Sequence, residues 1–142
     1  MSRLEGFSIK IVLIVMLMLC MGVMLAPSAQ AVAPPHSQSL NCNFGRVEWN
    51  VYMSSRYGNE TLGAYPELYR HQNGGWRHVT SPSTDRWFRQ YVLYANRSVG
   101  TTYFIDAAPG WYAMKTHFNG SRSGAGQWEW TNSCYVPEIV VG

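Results

Sequence analysis

His71 and His78 flank a turn in the stretch LYRHQNGGWRHVT and carry the clearest chemical potential in this chain. Two neutral imidazoles facing each other across a hairpin can share a metal ion. The turn decides whether they face. Asn73-Gly74 is the stronger turn signal, because a type I′ turn needs positive φ at both central residues. It sets His71 opposite Trp76 and Tyr69 opposite His78, whereas a Gly74-Gly75 turn sets His71 opposite His78. No third ligand stands at metal-site spacing, although His117 and Glu67 have the right chemistry. No metal is expected, and His71 and His78 are the candidates should one bind.

Hydrolysis needs a nucleophile with a base and an orienting acid, or two carboxylates flanking a bond. The serines cluster in loop-like stretches and none sits in G-x-S-x-G. Beyond residue 31 the acids are Glu48, Glu60, Glu67, Asp85, Asp106, Glu129 and Glu138. Glu48 and Glu129 are the pair that neighbouring strands could bring together. The expectation is no catalytic residue and no cofactor.

Of three cysteines, Cys20 falls in the apolar run 11–25, preceded by Arg3 and Lys10 and followed by Ala29-Gln30-Ala31. A positive start, a short apolar run and small residues at the −3 and −1 positions describe a secretory signal. The run is short for a spanning helix, which needs ~20 residues. Residues 1–31 are therefore read as a cleaved signal peptide, and the mature chain as secreted with no membrane span. Cys42 and Cys134 then reach an oxidising compartment as an even pair and are read as one disulfide. It would close a loop of about ninety residues and stabilise the fold by ~4–5 kcal/mol in the chain-entropy picture.

The chain has 6 Trp, 9 Tyr and 5 Phe, and all but Phe7 lie beyond residue 31. That is more rings than the core of a domain of about 110 residues can hold. Some of Tyr52, Tyr57, Tyr65, Trp76, Trp87, Tyr91, Trp128 and Trp130 must therefore be partly exposed. Exposed flat rings stack on the apolar faces of sugars and anchor protein interfaces at small entropic cost. Rings can also simply pair across strands on a sheet's outer face. Trp128-Glu129-Trp130 puts both tryptophans on one face, which suits core packing and a binding platform equally. Trp76, Trp87, Tyr91, Trp128 and Trp130 are the candidate ligand-binding residues.

The elements that must position them read as strands. In 44–53, FGRVEWNVYM, Val47, Trp49, Val51 and Met53 alternate with polar residues, as a half-buried strand does. The stretch 91–118 reads as three strands in a row with tight turns at 96–100 and 107–110, and 127–136 as the last long strand. Pro66 should mark an edge or a strand start. Residues 32–40 lack periodicity and read as a flexible lead-in with a solvated His36, and the Gly/Ser-rich 119–126 as a mobile loop. No helical periodicity is sustained. The expected fold is all-β: a single antiparallel β-sandwich of about seven strands over residues 41–142, with one disulfide.

Pro109-Gly110-Trp111-Tyr112-Ala113-Met114 resembles the corner that leads into a late strand of immunoglobulin-like and fibronectin-like sandwiches. The resemblance implies a Tyr112 hydroxyl bonded back to the backbone. Met114 stands where an antibody domain has its second cysteine, and the two cysteines lie near the ends of the domain, so the resemblance bears on architecture alone. In size and turn style the chain is also similar to small secreted bacterial enzyme inhibitors, without their second disulfide.

Net charge is +3 at pH 7, and Arg3 and Lys10 contribute to it. The remaining basic residues are scattered from Arg46 to Arg122 with no run, so no nucleic-acid partner is expected. Asn59, Asn96 and Asn119 begin N-x-S/T sequons at expected turns and would be surface glycan acceptors in a eukaryotic host. The functional expectation is a small secreted binding protein that recognises a polysaccharide or cell-surface glycan through exposed aromatics. The competing expectation is a secreted inhibitor or toxin-like effector that reaches a secreted or surface protein through loops 81–86 and 119–126.

Overall fold

The period-two stretch around Trp49 forms β2 (Arg46–Ser54) in the computed structural model, which describes residues 32–79 and 87–140. The signal-peptide expectation and the loop 81–86 lie outside the described residues. Val47, Trp49, Val51 and Met53 are buried, and the polar residues between them face away from the core. β2 is the middle of three antiparallel strands, between β1 (His36–Asn43) and β6 (Ser98–Asp106). The second sheet has six strands around a central pair, β3 (Glu60–Gln72) and β7 (Gly110–Gly120). β4 (Gly75–His78) and β5 (Phe88–Val92) pair with the two ends of β3. β8 (Gly124–Trp130) and β9 (Cys134–Val136) pair with the two ends of β7. The fold is all-β and sandwich-like, with Trp49, Val51, Met53 and Ile105 of one sheet packed among Leu62, Leu68, Met114 and Phe118 of the other.

The disulfide joins Cys42 on β1 to Cys134 on β9, spanning 92 residues of sequence and tying one sheet to the other. A second link is polar. Gln38 Oε1 accepts from Trp49 Nε1 at 3.1 Å and from Thr116 Oγ1 at 2.7 Å, while its Nε2 donates to Glu129 O at 3.1 Å. His36 stacks on Phe118 with centroids 3.8 Å apart and bonds Glu129 through Nε2 at 2.9 Å. Residues 36–40, expected to be part of a flexible lead-in with a solvated His36, therefore form the first five residues of an eight-residue strand. Their first two inward positions, His36 and Gln38, are polar, so the hydrophobic alternation begins only at Leu40.

Nine strands form where about seven were expected. β1 is one addition, and the expected strand 127–136 breaks in two at 131–133, where Thr131 caps Met114 through both its N–H and its hydroxyl. Strands β5, β6 and β7 follow one another along the chain as expected, but not side by side. β5 and β7 join β3 on opposite flanks, while β6 crosses to the other sheet beside β2. Alternation shows that a strand has one buried face; it does not show which sheet it joins. Pro66 is not at a strand start, since it lies mid-β3 opposite Thr116, but its other side is a local edge. β5 covers β3 only as far as Ala64 and β4 begins only at Tyr69, so on that side no described strand loses a ladder bond to the missing N–H.

Residues 119–126, expected as a mobile loop, are mostly strand around a short turn. β7 runs to Gly120 and β8 starts at Gly124, and Ser123 between them is buried against Glu60. Glu60 Oε1 accepts from Ser123 Oγ at 2.7 Å and Ser123 N at 3.1 Å, and Oε2 accepts from Ser55 Oγ at 2.6 Å. Ser55 Oγ in turn accepts from Gly58 N at 2.8 Å. A side chain at Gly120 would strike Glu60 Oε1, which makes glycine obligatory there. Burial alone would raise the carboxyl pKa; the bonds from Ser55 and Ser123 outweigh it and hold Glu60 below its ordinary 4.5. A depressed folded-state pKa contributes stability above the unfolded value, and that contribution is lost as pH falls through the folded value. Stability should thus decline below about pH 4.5. Glu60→Gln should cost about 1–3 kcal/mol at pH 7 and flatten that acid limb in denaturant titrations. An unchanged acid limb in the variant would contradict this.

Candidate functional site

Residues 65, 67, 69 and 71 of β3 point away from the core, because the alternate positions Leu62, Ala64 and Leu68 are buried. Register then lays out the outer face row by row. Tyr65 is opposite His117, which is opposite Trp128; Glu67 is opposite Lys115, which is opposite Trp130. Tyr69 lies between His78 and Ala113, and His71 lies opposite Trp76. Parity puts Trp111 on this face of β7 as well, with its ring 5.4 Å from Tyr135.

The rings form a connected surface. Tyr69 lies 4.8 Å from Trp130, and Trp130 lies 6.4 Å from Trp76. They close above Ala113, whose methyl leaves room for them, and Ala113 itself is buried. At the other end Tyr65 stacks on Trp87 at 5.0 Å and His117 tilts against Trp128 at 5.3 Å. Lys115 Nζ bridges the two ends, 5.3 Å from the Trp128 ring and 5.6 Å from Trp130, each at cation–π range. No ion pair joins Lys115 to Glu67 among the described residues; Glu67 Oε2 instead accepts from Tyr69 Oη at 2.7 Å. Burial, with the bond and charge of Glu67, pushes the Tyr69 hydroxyl pKa up, so this donor keeps its proton.

Two shallow clefts lie on either side of the Tyr65–Trp87 stack. One, about 320 Å³, is walled by Tyr65, Glu67, Trp87 and Trp128. The other, about 230 Å³, is more polar, with Thr61, Arg89, Asn119 and Ser121 around it. A face with apolar rings, interleaved donors and acceptors and open clefts can stack on flat apolar surfaces and hydrogen-bond groups around them.

Of the expected ligand-binding residues, Trp76, Trp87, Trp128 and Trp130 are between 40% and 49% exposed and share this one face. Tyr91 is also exposed and, opposite Thr61, belongs to the same outer face, at its β5 edge, where its hydroxyl donates to Asn59 Oδ1 at 3.0 Å. Tyr69, Trp111, Lys115 and His117 were missed as site residues. Parity in WYAMKTH would have placed the last three on one face, had the neighbour of β7 been known.

The hairpin turns at Asn73-Gly74, with φ of 49° and 78°, so His71 faces Trp76 and not His78. Each histidine meets a ring edge-on, His71 on Trp76 and His78 on Tyr69. Among the described residues no three His, Cys, Asp or Glu side chains gather as a metal site. Glu48 and Glu129 stand in different sheets, Glu48 accepting from Asn50 and Glu129 held by His36, and are not brought together. Asn59 and Asn96 take left-handed turn conformations, while Asn119 lies in β7 with its side chain against Gly63. The Tyr112 hydroxyl donates to Ala108 O at 2.7 Å and closes the 109–112 corner. No helix among the described residues is long and apolar enough to cross a membrane.

No protein family and no curated protein matches this chain. Among solved structures it is similar to β-glucosidase 3B from Thermotoga neapolitana in complex with glycerol, at 14% identity and a TM-score of 0.40. The match covers 74% of this chain and 16% of that one. The chain thus spans about a sixth of the length of that enzyme.

Trp49 is the buried tryptophan, and the other five of the six are exposed. Acrylamide should therefore quench most of the indole fluorescence and leave one protected fraction. Trp49→Phe should remove that fraction, and a protected fraction surviving in the variant would contradict the exposed face.

Proposed function

We propose that this protein is a secreted, non-catalytic binding protein that takes up a polysaccharide or cell-surface glycan on the outer face of its six-stranded sheet. The observation that carries this reading is the placement of Trp76, Trp128, Trp130 and Trp87 on one face, each between 40% and 49% exposed. Burying so much ring area in a ligand would release water at little entropic cost, since each ring is already held by a neighbour. Polar groups stand where sugar hydroxyls need them: Glu67 and Lys115 at the centre, Arg89 and Asn119 in the second cleft. No cofactor enters this reading. Secretion fits the Cys42–Cys134 disulfide, which persists in oxidising compartments. The likeness to immunoglobulin-like and fibronectin-like domains belongs to the same proposal and concerns the scaffold alone.

One observation favours a protein target as the second reading. Trp76 and Trp130 are tilted by 44° to each other, so they do not offer a single plane. A stepped aromatic surface suits the relief of a protein, and on this reading the same face and not the 119–126 turn makes the contact.

The test is a pull-down of the oxidised protein on insoluble polysaccharides and purified cell walls, with Trp128→Ala and Trp130→Ala beside the wild type. Both side chains are exposed, so the variants should fold. Each should bind about tenfold more weakly, as expected for losing ~1–1.5 kcal/mol of ring stacking. Absence of wild-type binding to every polymer would shift the reading to a protein partner.

A further inference from the structure

Arg70 and Arg77 are directly opposite each other in the β3–β4 hairpin, on the side that faces away from the aromatic surface. Like charges directly opposite on a ladder destabilise it unless something offsets them. No carboxylate does so here: among the described residues neither arginine forms an ion pair. Arg70 Nη2 donates to Pro109 O at 2.5 Å, and its guanidinium lies 5.8 Å from the Tyr112 ring. Its Nε, covered by Gly110, has no acceptor. That leaves Arg70 fixed in place and Arg77 exposed beside it.

The pair borders a cavity of about 340 Å³ at the open end of the sandwich. Leu68, Ala107 and Tyr112 supply apolar lining, Gln72 and His78 add polar groups, and Asp106 lines it without pairing to either arginine. Two guanidiniums beside an apolar lining match an oxyanion carried on an apolar body, because each fork can donate to a planar or tetrahedral acceptor. The volume suits a small molecule and not a polymer strand. We propose that this cavity is a second site, separate from the aromatic face, which binds a small organic oxyanion through Arg70 and Arg77. The inference does not depend on what the aromatic face binds.

The test titrates the oxidised protein with 3-phenylpropionate, phenyl phosphate and the uncharged 3-phenylpropionamide, followed by two-dimensional NMR. Saturable shifts at Leu68, Arg77 and Tyr112 with either anion are expected, and the amide should bind at least about tenfold more weakly. Tighter binding of one anion assigns the head group as carboxylate or phosphate. Arg77→Gln should weaken the anion by about tenfold or more while its unliganded melting temperature holds or rises, because a like-charge pair is relieved. Trp130→Ala should leave anion binding unchanged. Failure of both anions to saturate, equal binding of the amide, equal binding by Arg77→Gln, or loss in Trp130→Ala would overturn the proposal.

Discussion

The register of β3 against β7 is the constraint on which everything else rests. Nine residues of β3, from Leu62 to Arg70, pair in sequence with β7 from Gly120 back to Tyr112. Side chains alternate with a period of two, so this one ladder decides both surfaces. Inward it supplies Leu62, Ala64, Leu68, Met114 and Phe118 to the core; outward it presents Tyr65, Tyr69, Lys115 and His117. Slipping either strand by one residue would turn its outward charge, Glu67 on β3 or Lys115 on β7, into the core and expose its own core residues, a cost that no rearrangement of loops could offset. The aromatic face is therefore as well determined as the core, because it is the other side of the same strands.

Around that ladder the three-stranded sheet is held by the disulfide and by polar links as well as apolar packing. Gln38 ties β1 to Trp49 and to Thr116, and its three bonds satisfy the buried polar atoms that meet there. Glu60 closes the far end, where its carboxylate collects donors from Ser55 and Ser123. Buried polar groups satisfied in this way fix geometry more than they add stability, since each would be costly if misplaced.

Much of this was legible in the chain and some was not, for physical reasons. Alternation around Trp49 gave β2 and its buried face correctly, and Asn73-Gly74 gave the hairpin and its register, because a type I′ turn leaves few alternatives. The all-β class and the Cys42–Cys134 bridge followed from glycine and proline punctuation and from cysteine arithmetic. β1 was hidden because its first two inward positions, His36 and Gln38, are polar and satisfied by partners far off in sequence, such as Glu129, which leaves only Leu40 and Cys42 facing the core. The place of β6 was hidden because sheet membership is a long-range property. Glycine and serine between β7 and β8 read as looseness, yet Ser123 is there to bond Glu60 and Gly120 to make room for it. The aromatic excess was visible at once; the single face it occupies needed the register.

On the proposed reading, this one face is the binding surface. It is tested by the indole N–H resonances of the oxidised protein, assigned by single Trp→Phe variants and titrated with soluble oligosaccharides. Saturable shifts of the Trp128 and Trp130 signals are expected, with Trp76 or Trp87 joining them, while buried Trp49 stays fixed. Saturable binding that leaves Trp128 and Trp130 unmoved would contradict it.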